Sequence, residues 1–275
     1  MLSVNTNAGA LVALQNLDAT NKALQTTQNR INTGLAVNGP KDNAAVWQIA
    51  QGLRADLSGM DAVKQSLDRA TSTVDIAIAG GQSVSDLLNQ MRAKAVAASD
   101  SGLDTASRAA LNNDFKALRD QVTTIVNNAS FNGTNMLKAS GDNVSAIVSP
   151  DGTSSLTITA VDLSLGGANV GITAATSLGT TYTSAQSVLA TIDSSISAVN
   201  SALGKLGTGA NAIDNQRTFA NKLSDTIETG IGNLVNADLA KESANLQALQ
   251  VKQQLGIQAL SIANQSPNVL LALFR

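Results

Sequence analysis

The sequence contains neither cysteine nor histidine, and this double absence narrows the chemistry that the chain can perform. Without thiols there is no disulfide and no cysteine nucleophile. Without imidazoles the chain also lacks the commonest general base and the usual zinc ligands. Only Glu228 and Glu242 are glutamates, and the aspartates are scattered rather than paired. We therefore expect no enzyme activity, no metal site and no cofactor.

Aromatic residues and net charge are also scarce. Aromatics make up 2% of the chain and hydrophobic residues 43%, so a core has to be built from Ala, Leu, Ile and Val, which suits slender helix bundles. The formal net charge is −2, which provides no basic surplus for nucleic acid or for an anionic membrane. Residues 1–10 lack the features of a cleaved secretory signal, and no run of about 18 apolar residues predicts a membrane span. We expect neither nucleic acid nor membrane as a partner.

Helical periodicity covers most of the chain. Apolar residues recur at helical spacing in the segments 5–33, 44–99, 107–128, 184–235 and 236–275. We expect Asp42 or Asn43 to cap the second of these helices. Gly80-Gly81 and the run 204–209 predict a kink or an interruption in their helices, because each is rich in glycine.

The segment 128–182 has a different character, with more Gly, Ser and Thr and with alternating apolar residues. The segments 144–148 and 156–161 flank Ser-Pro-Asp-Gly-Thr, a turn sequence in which Pro presets φ and Gly accepts a positive φ. This pattern predicts a hairpin, and a further strand is predicted at 161–165. The Ser and Thr residues of 140–187 are candidates for O-linked sugars, although the same residues also suit strands and turns.

Together these patterns predict a mainly α protein, a long folded-back helical hairpin or coiled-coil bundle with a small β-hairpin module inserted at its distal end. The predicted domains are the paired terminal helices (1–40 and 236–275), a helical shell (41–140 and 184–235) and a variable β module (141–183). The first helix alone buries too little apolar surface to offset its ordering entropy. We expect it to pair with the C-terminal helix, both helices being poorly ordered until the chain assembles.

The C-terminal helix has apolar residues on two opposite sides. One side carries Leu239, Leu246, Leu249, Ile257 and Leu260. The opposite side carries Ala244, Ala248, Val251, Leu255 and Ile262. A surface helix needs only one apolar stripe, so two stripes imply one partner in the same chain and one in another molecule. We predict a polymerisation interface on the two terminal helices, formed by Leu14, Leu17, Leu24, Ile31, Leu246, Leu249, Val251, Leu255, Leu260 and Ile262.

Two motifs that could carry chemistry are better explained without it. The run Gly-Lys-Leu-Gly-Thr-Gly at 204–209 lacks the residue order of a phosphate-binding loop and follows a helix rather than a strand. Asp225 and Glu228 share a helix face, where a solvated pair of carboxylates is the expected arrangement.

Several other motifs resemble those of the bacterial flagellins. Arg-Ile-Asn-Thr-Gly-Leu at 30–35 and Lys-Asp-Asn-Ala-Ala at 41–45 are similar to the N-terminal signature of that family. Phe-Asn-Gly at 131–133, followed by Met-Leu at 136–137, resembles its turn beside the variable region. The C-terminal motif of the family is matched by Asn236-Ala237-Asp238, Ala263-Asn264-Gln265, Asn268-Val269-Leu270 and Leu273-Phe274-Arg275. The resemblance covers residues 1–140 and 184–275, and the compact chain is similar to alphaproteobacterial members.

This resemblance implies a structural subunit that polymerises into the flagellar filament, the propeller for swimming. The paired terminal helices would form the inner tube, the shell would surround it, and the β module would face outward. The chain would be exported unfolded by the flagellar type III machinery with the help of a cytoplasmic export chaperone. It would then assemble outside the cell under a cap protein and next to hook-junction proteins, alone or with sister flagellins.

The family is also sensed by an innate immune receptor, Toll-like receptor 5. The recognised stretch of the family resembles residues 88–96, in which Arg92 matches its central arginine. Asp114 falls where a glutamate is usual, and Ala93 and Lys94 replace a usual Glu-Leu pair. These differences predict weak or absent activation of the receptor.

Two alternative functions remain open at the level of sequence. An adaptor at the hook–filament junction would share the terminal helices but would form short stacks rather than long filaments. A secreted enzyme or effector on a coiled-coil scaffold is disfavoured by the missing His and Cys and by the absence of clustered acids.

Overall fold

A computed structural model describes the backbone of residues 6–273 and the side chains of residues 6–265. The described chain forms five α-helices: α1 (Ala8–Thr33), α2 (Ala44–Ala98), α3 (Thr105–Asn128), α4 (Tyr182–Val235) and α5 (Leu239–Leu273). Between α3 and α4, the strands β1 (Val144–Ile147) and β2 (Ser155–Ile158) pair antiparallel, with Val144 opposite Ile158. The predicted mainly α fold and its β-hairpin are confirmed. Residues 1–5, and Phe274 and Arg275 of the C-terminal motif, lie outside the described residues.

The described residues form two compact units. One comprises residues 6–55 and 226–273, and the other comprises residues 56–225. Both α2 and α4 contribute residues to each unit. The three predicted domains, with their boundaries at 40, 140, 183 and 235, stay a prediction. Within residues 6–273, no helix has the length and the apolar character that a membrane crossing requires.

The core of the 56–225 unit is mostly aliphatic, as the composition predicts. Helices α2, α3 and α4 all contribute to it, through fully buried residues such as Leu67, Phe115 and Ile192. The segment between α3 and α4 adds Leu137 and Leu163, which are also fully buried. Because this unit closes its own core, the residues of that core are buried without a further chain.

The strand predicted at 161–165 is wrong. Val161 and Leu163 are buried, as the alternation predicts, and their N–H groups donate to the carbonyls of Met136 and Leu137 at 2.9 and 2.8 Å. These two bonds do not extend into a ladder, because the chain turns immediately afterwards. Gly166 has a φ of +78°, in the left-handed region that glycine adopts without strain, and this allows the turn.

Side chains fix the starts of two helices. The predicted cap of α2 is Asn43, whose Oδ1 accepts from the N–H of Val46 at 3.2 Å, whereas Asp42 binds the preceding turn. Asp104 caps α3 by accepting from the N–H of Ser107 at 2.6 Å. This bond to the carboxylate lowers the pKa of Asp104 from its ordinary value of 3.8.

The turn of the β-hairpin is closed by Asp151. Its carboxylate accepts from the hydroxyl of Ser149 at 2.5 Å and from the N–H of Thr153 at 3.2 Å. These hydrogen bonds, that of Ser149 first, lower the pKa of Asp151. Gly152 has a φ of +72°, as the turn sequence requires. In the segment before the hairpin, Lys138 likewise lowers the pKa of Asp142.

The two glycine-rich sites do not interrupt their helices, and this part of the prediction is wrong. Helix α2 continues through Gly80-Gly81, and α4 continues through 204–209. A Cβ at Gly80 would lie 2.8 Å from Cδ1 of Leu137, and a Cβ at Gly209 would lie 2.9 Å from Cγ2 of Ile158. These glycines admit neighbouring side chains close to the helix backbone, so their role is packing rather than breaking.

Candidate assembly surface

The two chain connections next to the terminal helices are bonded to each other. The α1–α2 connection starts at Gly34, which ends α1 with a φ of +72°, and Leu35 forms a β-bridge with Asn236. The carbonyl of Val235 accepts from the N–H of Ala36 at 2.7 Å, and the carbonyl of Gly34 accepts from the N–H of Ala237 at 2.9 Å. These backbone bonds place the end of α1 beside the start of α5.

A small apolar cluster supports these connections. Ala50, Ile231 and Val235 are buried together. Five partly buried residues pack against them, namely Leu35, Val37, Val46, Leu53 and Ile227. Asp238 then caps α5 by accepting from the N–H groups of Ala240 and Lys241. The direction in which α5 leaves the connection is therefore set by local contacts.

From this point α1 and α5 pair as an antiparallel two-helix coil, since residue numbers fall along one helix as they rise along the other. We call the shared face the seam. Its residues are buried or half-buried and follow a spacing of alternating three and four residues, the period of a coiled coil. On α1 the seam comprises Ala10, Ala13, Leu17, Thr20, Leu24, Thr27 and Ile31. On α5 it comprises Glu242, Leu246, Leu249, Gln253, Gly256, Leu260 and Ala263.

The seam is narrow and poor in large apolar side chains. Thr27 is its most buried residue on α1, and Glu242 its most buried residue on α5. Leu17 packs directly on Gly256, where an added Cβ would lie 3.2 Å from Cδ1 of Leu17. Small and polar residues thus occupy positions that a stable coiled coil fills with Leu, Ile or Val.

Within residues 6–265, three polar contacts join the helices along the seam. Nδ2 of Asn7 donates to the carbonyl of Ala263 at 2.6 Å. Nε2 of Gln253 donates to Oδ1 of Asn21 at 2.7 Å. Nη1 of Arg30 donates to Oε1 of Glu242 at 3.1 Å and forms an ion pair with it.

Large apolar side chains lie outside the seam and are exposed. We call this set the outward apolar residues: Leu11, Val12, Leu14, Leu239, Val251, Leu255, Ile257 and Ile262. Ile262 is 69% exposed and Leu255 is 58% exposed. At about 100° per residue, Val251, Leu255 and Ile262 lie on the side of α5 opposite the seam. The two apolar sides predicted for the C-terminal helix are therefore present in a single chain, one covered and one open.

Leu239 and Ile257, which the helical period groups with Leu246, Leu249 and Leu260, do not lie in the seam. Both are at least half exposed. The seam has a period of 3.5 residues and is narrower than the apolar stripe of an ordinary surface helix, so these two residues at its edge are left uncovered.

The ten predicted interface residues divide between the seam and the open surface. Six of them lie in the seam: Leu17, Leu24, Ile31, Leu246, Leu249 and Leu260. The other four are exposed: Leu14, Val251, Leu255 and Ile262. The sequence missed the seam residues Glu242, Gln253 and Gly256. Their alternating spacing of three and four was visible, but none of them is a large apolar residue.

Comparison with known proteins identifies the family of the chain. The model of the bacterial flagellin N-terminal helical region matches residues 4–142, and that of the C-terminal helical region matches residues 189–274. The chain belongs to the bacterial flagellin family. Flagellin FljM of Caulobacter vibrioides is 50% identical over 273 residues, which cover 99% of this chain and 98% of that protein. A flagellin of Brucella melitensis is 34% identical, with both chains covered in full.

A solved structure shares the fold of this chain. A protein of Vibrio parahaemolyticus, described as flagellar hook-associated, superposes with a TM-score of 0.59 and 13% identity. The match covers 71% of this chain and all of that chain. At this identity the likeness concerns the fold alone.

In this flagellin, residues 88–96, which resemble the segment recognised by the receptor, form ion pairs with other residues of the same chain. Nε of Arg92 lies 2.6 Å from Oδ1 of Asp193, and Nζ of Lys94 lies 2.8 Å from Oδ2 of Asp114. All four side chains are partly open to solvent. A protein that binds here through Arg92 therefore has to compete with the carboxylate of Asp193.

For the glycine-rich run 204–209 and for the pair of Asp225 and Glu228, the sequence favoured no chemical role. The lysine of 204–209 and the carboxylates of Asp225 and Glu228 are exposed. Among the described residues, no three His, Cys, Asp or Glu side chains converge as metal ligands.

Proposed function

We propose that this chain is the subunit of a flagellar filament and that it polymerises through the outward apolar residues of α1 and α5. The observation that carries the proposal is the open side of α5, where Val251, Leu255 and Ile262 are exposed although each is strongly apolar. Monomeric proteins rarely expose such sets of large apolar side chains, and those that do commonly use them to bind partners.

The energy available from covering this surface is large. Burying five leucine-sized side chains is worth on the order of 10 kcal/mol before the cost of ordering is subtracted. Each contact joins two different surfaces, one on each of two neighbouring subunits. Such contacts are heterologous. Heterologous contacts that do not close give open helical growth.

The narrow seam supports a second element of the proposal, that α1 and α5 become fully ordered only on assembly. Small and polar residues at the seam bury little apolar area, and the ordering entropy of two helices has to be offset. Neighbouring subunits supply the missing burial, which couples ordering to assembly. The arrangement of the parts is proposed from the family: the terminal helices form the inner tube, the shell surrounds it, and the β module faces outward.

The remaining partners are proposed from the family. The chain assembles with copies of itself and with sister flagellins, outside the cell. Export of the unfolded chain, an export chaperone that shields α5, a cap protein and hook-junction proteins complete the pathway. We infer no catalytic role, because flagellins are structural proteins and the chain lacks the histidine and cysteine of the Ser–His and Cys–His pairs.

Electron microscopy of purified full-length protein, seeded with filament fragments, tests the proposal. The matched sample is a chain that ends at Ala244 and so lacks most of α5. Long filaments from the full chain alone support the proposal. Rings or short stacks from the full chain favour the junction adaptor, and filaments from the shortened chain contradict a role for α5.

Activation of Toll-like receptor 5 is expected to be weak or absent. Ala93 and Lys94 replace a usual Glu-Leu pair, and Arg92 is held by Asp193. The measurement is a reporter-cell assay with purified monomer, beside Asp193→Ala, which releases Arg92. A full-strength response from the unaltered chain would overturn this expectation.

A further inference from the structure

The polar contacts of the seam contribute little to its stability. Glu242 is 8% exposed, yet its Oε2 has no hydrogen-bond partner, and the buried Nε of Arg30 has none either. A buried polar atom without a partner destabilises the folded state. Buried ion pairs are commonly no better for stability than apolar side chains of similar size. The pair of Arg30 and Glu242 therefore has to be explained by something other than stability.

The apolar residues of α5 leave the pairing of the two helices ambiguous. Leu246, Leu249 and Leu260 lie in the seam, while Val251, Leu255 and Ile262 form a second apolar side that α1 could cover equally well. The repeating spacing of the seam also permits a slide of seven residues, which presents similar small and apolar side chains again. Apolar packing alone thus selects neither one face nor one register.

The polar contacts remove this ambiguity. A slide of seven residues moves each side chain along the axis by about 10 Å, at 1.5 Å per residue. Gln253 would then lose Asn21, and Glu242 would lose Arg30 while remaining buried. A rotation of α5 that turned its second apolar side toward α1 would break the same contacts. A single polar residue at a seam position is known to fix register in coiled coils in this way, at a cost in stability.

We propose that the two polar pairs, Asn21 with Gln253 and Arg30 with Glu242, fix the register in which α1 covers α5. By selecting the covered side, these pairs decide which apolar side of α5 stays open. This second consequence rests on the proposed function, because an open side matters only if neighbouring subunits cover it.

The absence of native cysteine allows the register to be read by disulfide formation. The Cβ of Leu17 lies 3.9 Å from the position of a Cβ built at Gly256, which is within the range of a disulfide. Leu17→Cys with Gly256→Cys therefore reports the observed register. Leu17→Cys with Leu249→Cys reports a slide of seven residues, since in the observed register these positions are about 10 Å further apart. Because both reporters carry Leu17→Cys, both lack the contact of Leu17 with Gly256. This contact therefore cannot account for a difference between them.

Each reporter is made in the full chain and in a fourfold apolar variant, Asn21→Leu, Gln253→Leu, Arg30→Met and Glu242→Met. The control variant carries Asn16→Leu and Gln254→Leu, which replace exposed polar residues of the same helices. Reduced protein is seeded and imaged, then soluble and sedimented fractions are oxidised separately. The yield of intramolecular disulfide is measured by mass spectrometry.

In the parent chain and in the control variant, the Gly256→Cys reporter is expected to give a higher disulfide yield in sedimented protein than the Leu249→Cys reporter. In the fourfold variant, the yield of the Leu249→Cys reporter is expected to rise by at least about tenfold, because no buried charge opposes the slide. If the fourfold variant does not fold, Asn21→Leu with Gln253→Leu alone is expected to give a smaller rise.

Equal disulfide yields from both reporters in the parent would contradict the proposal. An unchanged ratio of the two yields in the fourfold apolar variant would also contradict it. No disulfide from the Gly256→Cys reporter in either fraction would contradict it as well. A parent chain that does not sediment or form filaments contradicts the proposed function instead, and the soluble fraction then reports the register.

Discussion

At the scale of single residues, helical glycines set how closely the β-hairpin approaches the helices of the 56–225 unit. Gly59 of α2 faces Pro150 in the hairpin turn, and Gly209 of α4 faces Ile158 of β2. At Gly59 an added Cβ would lie 2.6 Å from the carbonyl oxygen of Pro150. A backbone atom cannot rotate away as a side chain does, so the hairpin itself would have to move.

Gly59→Ala is therefore expected to destabilise the unit by about 1–3 kcal/mol through overpacking, despite the better helix propensity of alanine. The control is Gly204→Ala in α4, within the same unit, where nothing lies within 4 Å of the added Cβ. That control should stabilise the chain by about 0.5–1 kcal/mol. Urea unfolding, with hydrogen exchange of the β1 amides, measures both effects. Equal behaviour of the two variants would refute the packing role of Gly59.

The cap of α3 predicts a dependence on pH. The pKa of Asp104 is lowered on folding, so its contribution is present above its unfolded value of 3.8 and is lost as pH falls through the lower folded pKa. The stability difference between the parent and Asp104→Ala should therefore shrink as the pH falls below 3.8. Asp104→Asn keeps a capping oxygen that does not titrate, so its advantage over Asp104→Ala should stay constant. Urea unfolding across this range measures the three proteins, and a constant difference for Asp104 itself would contradict the assignment.

At the scale of elements, α5 is unusual because its covered and open sides both carry large apolar residues. Leu255→Asp places a charge on the open side and should abolish filaments, since the carboxylate would have to be desolvated at the contact. The 56–225 unit should remain folded, because Leu255 lies outside it. The matched control is Asn245→Asp, which adds the same charge at an exposed position of α5 next to the seam and away from the open side. Electron microscopy and circular dichroism measure assembly and folding, and normal filaments from Leu255→Asp would contradict the role of the open side.

The elements show how far sequence reasoning reaches in this chain. Periodicity predicted all five helices, and the local signals at Asn43 and at the Pro-Asp-Gly turn predicted a cap and a hairpin, because these depend on neighbours in sequence. The interruption expected at Gly80-Gly81 was wrong, since a glycine does not reveal which distant side chain packs on it. Leu137, which fills that space, is more than fifty residues away.

The candidate site was predictable in part for the same reason. The two apolar sides of α5 follow from the helical period, and six of the ten predicted residues lie in the seam. The polar partners of the seam did not follow. Nothing near Glu242 in the sequence points to Arg30, and only the pairing of the two ends of the chain brings them together.

At the scale of the whole molecule, the two units differ in how they bury apolar residues. The 56–225 unit contains the large aliphatic core, whereas the terminal unit contains the small cluster of Ala50, Ile231 and Val235 beside the narrow seam. Local stability follows the amount of apolar burial, so exchange of backbone amides should differ between the units.

Hydrogen exchange of the soluble chain is expected to be fast in α1 and α5 and slow in the buried segments of α2 and α4 within 56–225. In assembled filaments the amides of α1 and α5 should become protected by at least about tenfold, because neighbours cover the open side. Mass spectrometry of both states measures this change, and the Gly59 region of α2 serves as an internal reference. Protection of α1 and α5 that is already complete in the soluble chain would contradict ordering on assembly.

The seam joins the first helix of the chain to the last one, and this has a consequence for the order of events in folding. The contacts of Asn7 with Ala263 and of Asn21 with Gln253 each span more than two hundred residues. Contacts so distant in sequence form late, after those of the inner helices. Any chain that ends early, whether by interrupted synthesis or by cleavage, leaves α1 without its mate. The seam therefore forms only in a chain that carries both α1 and α5.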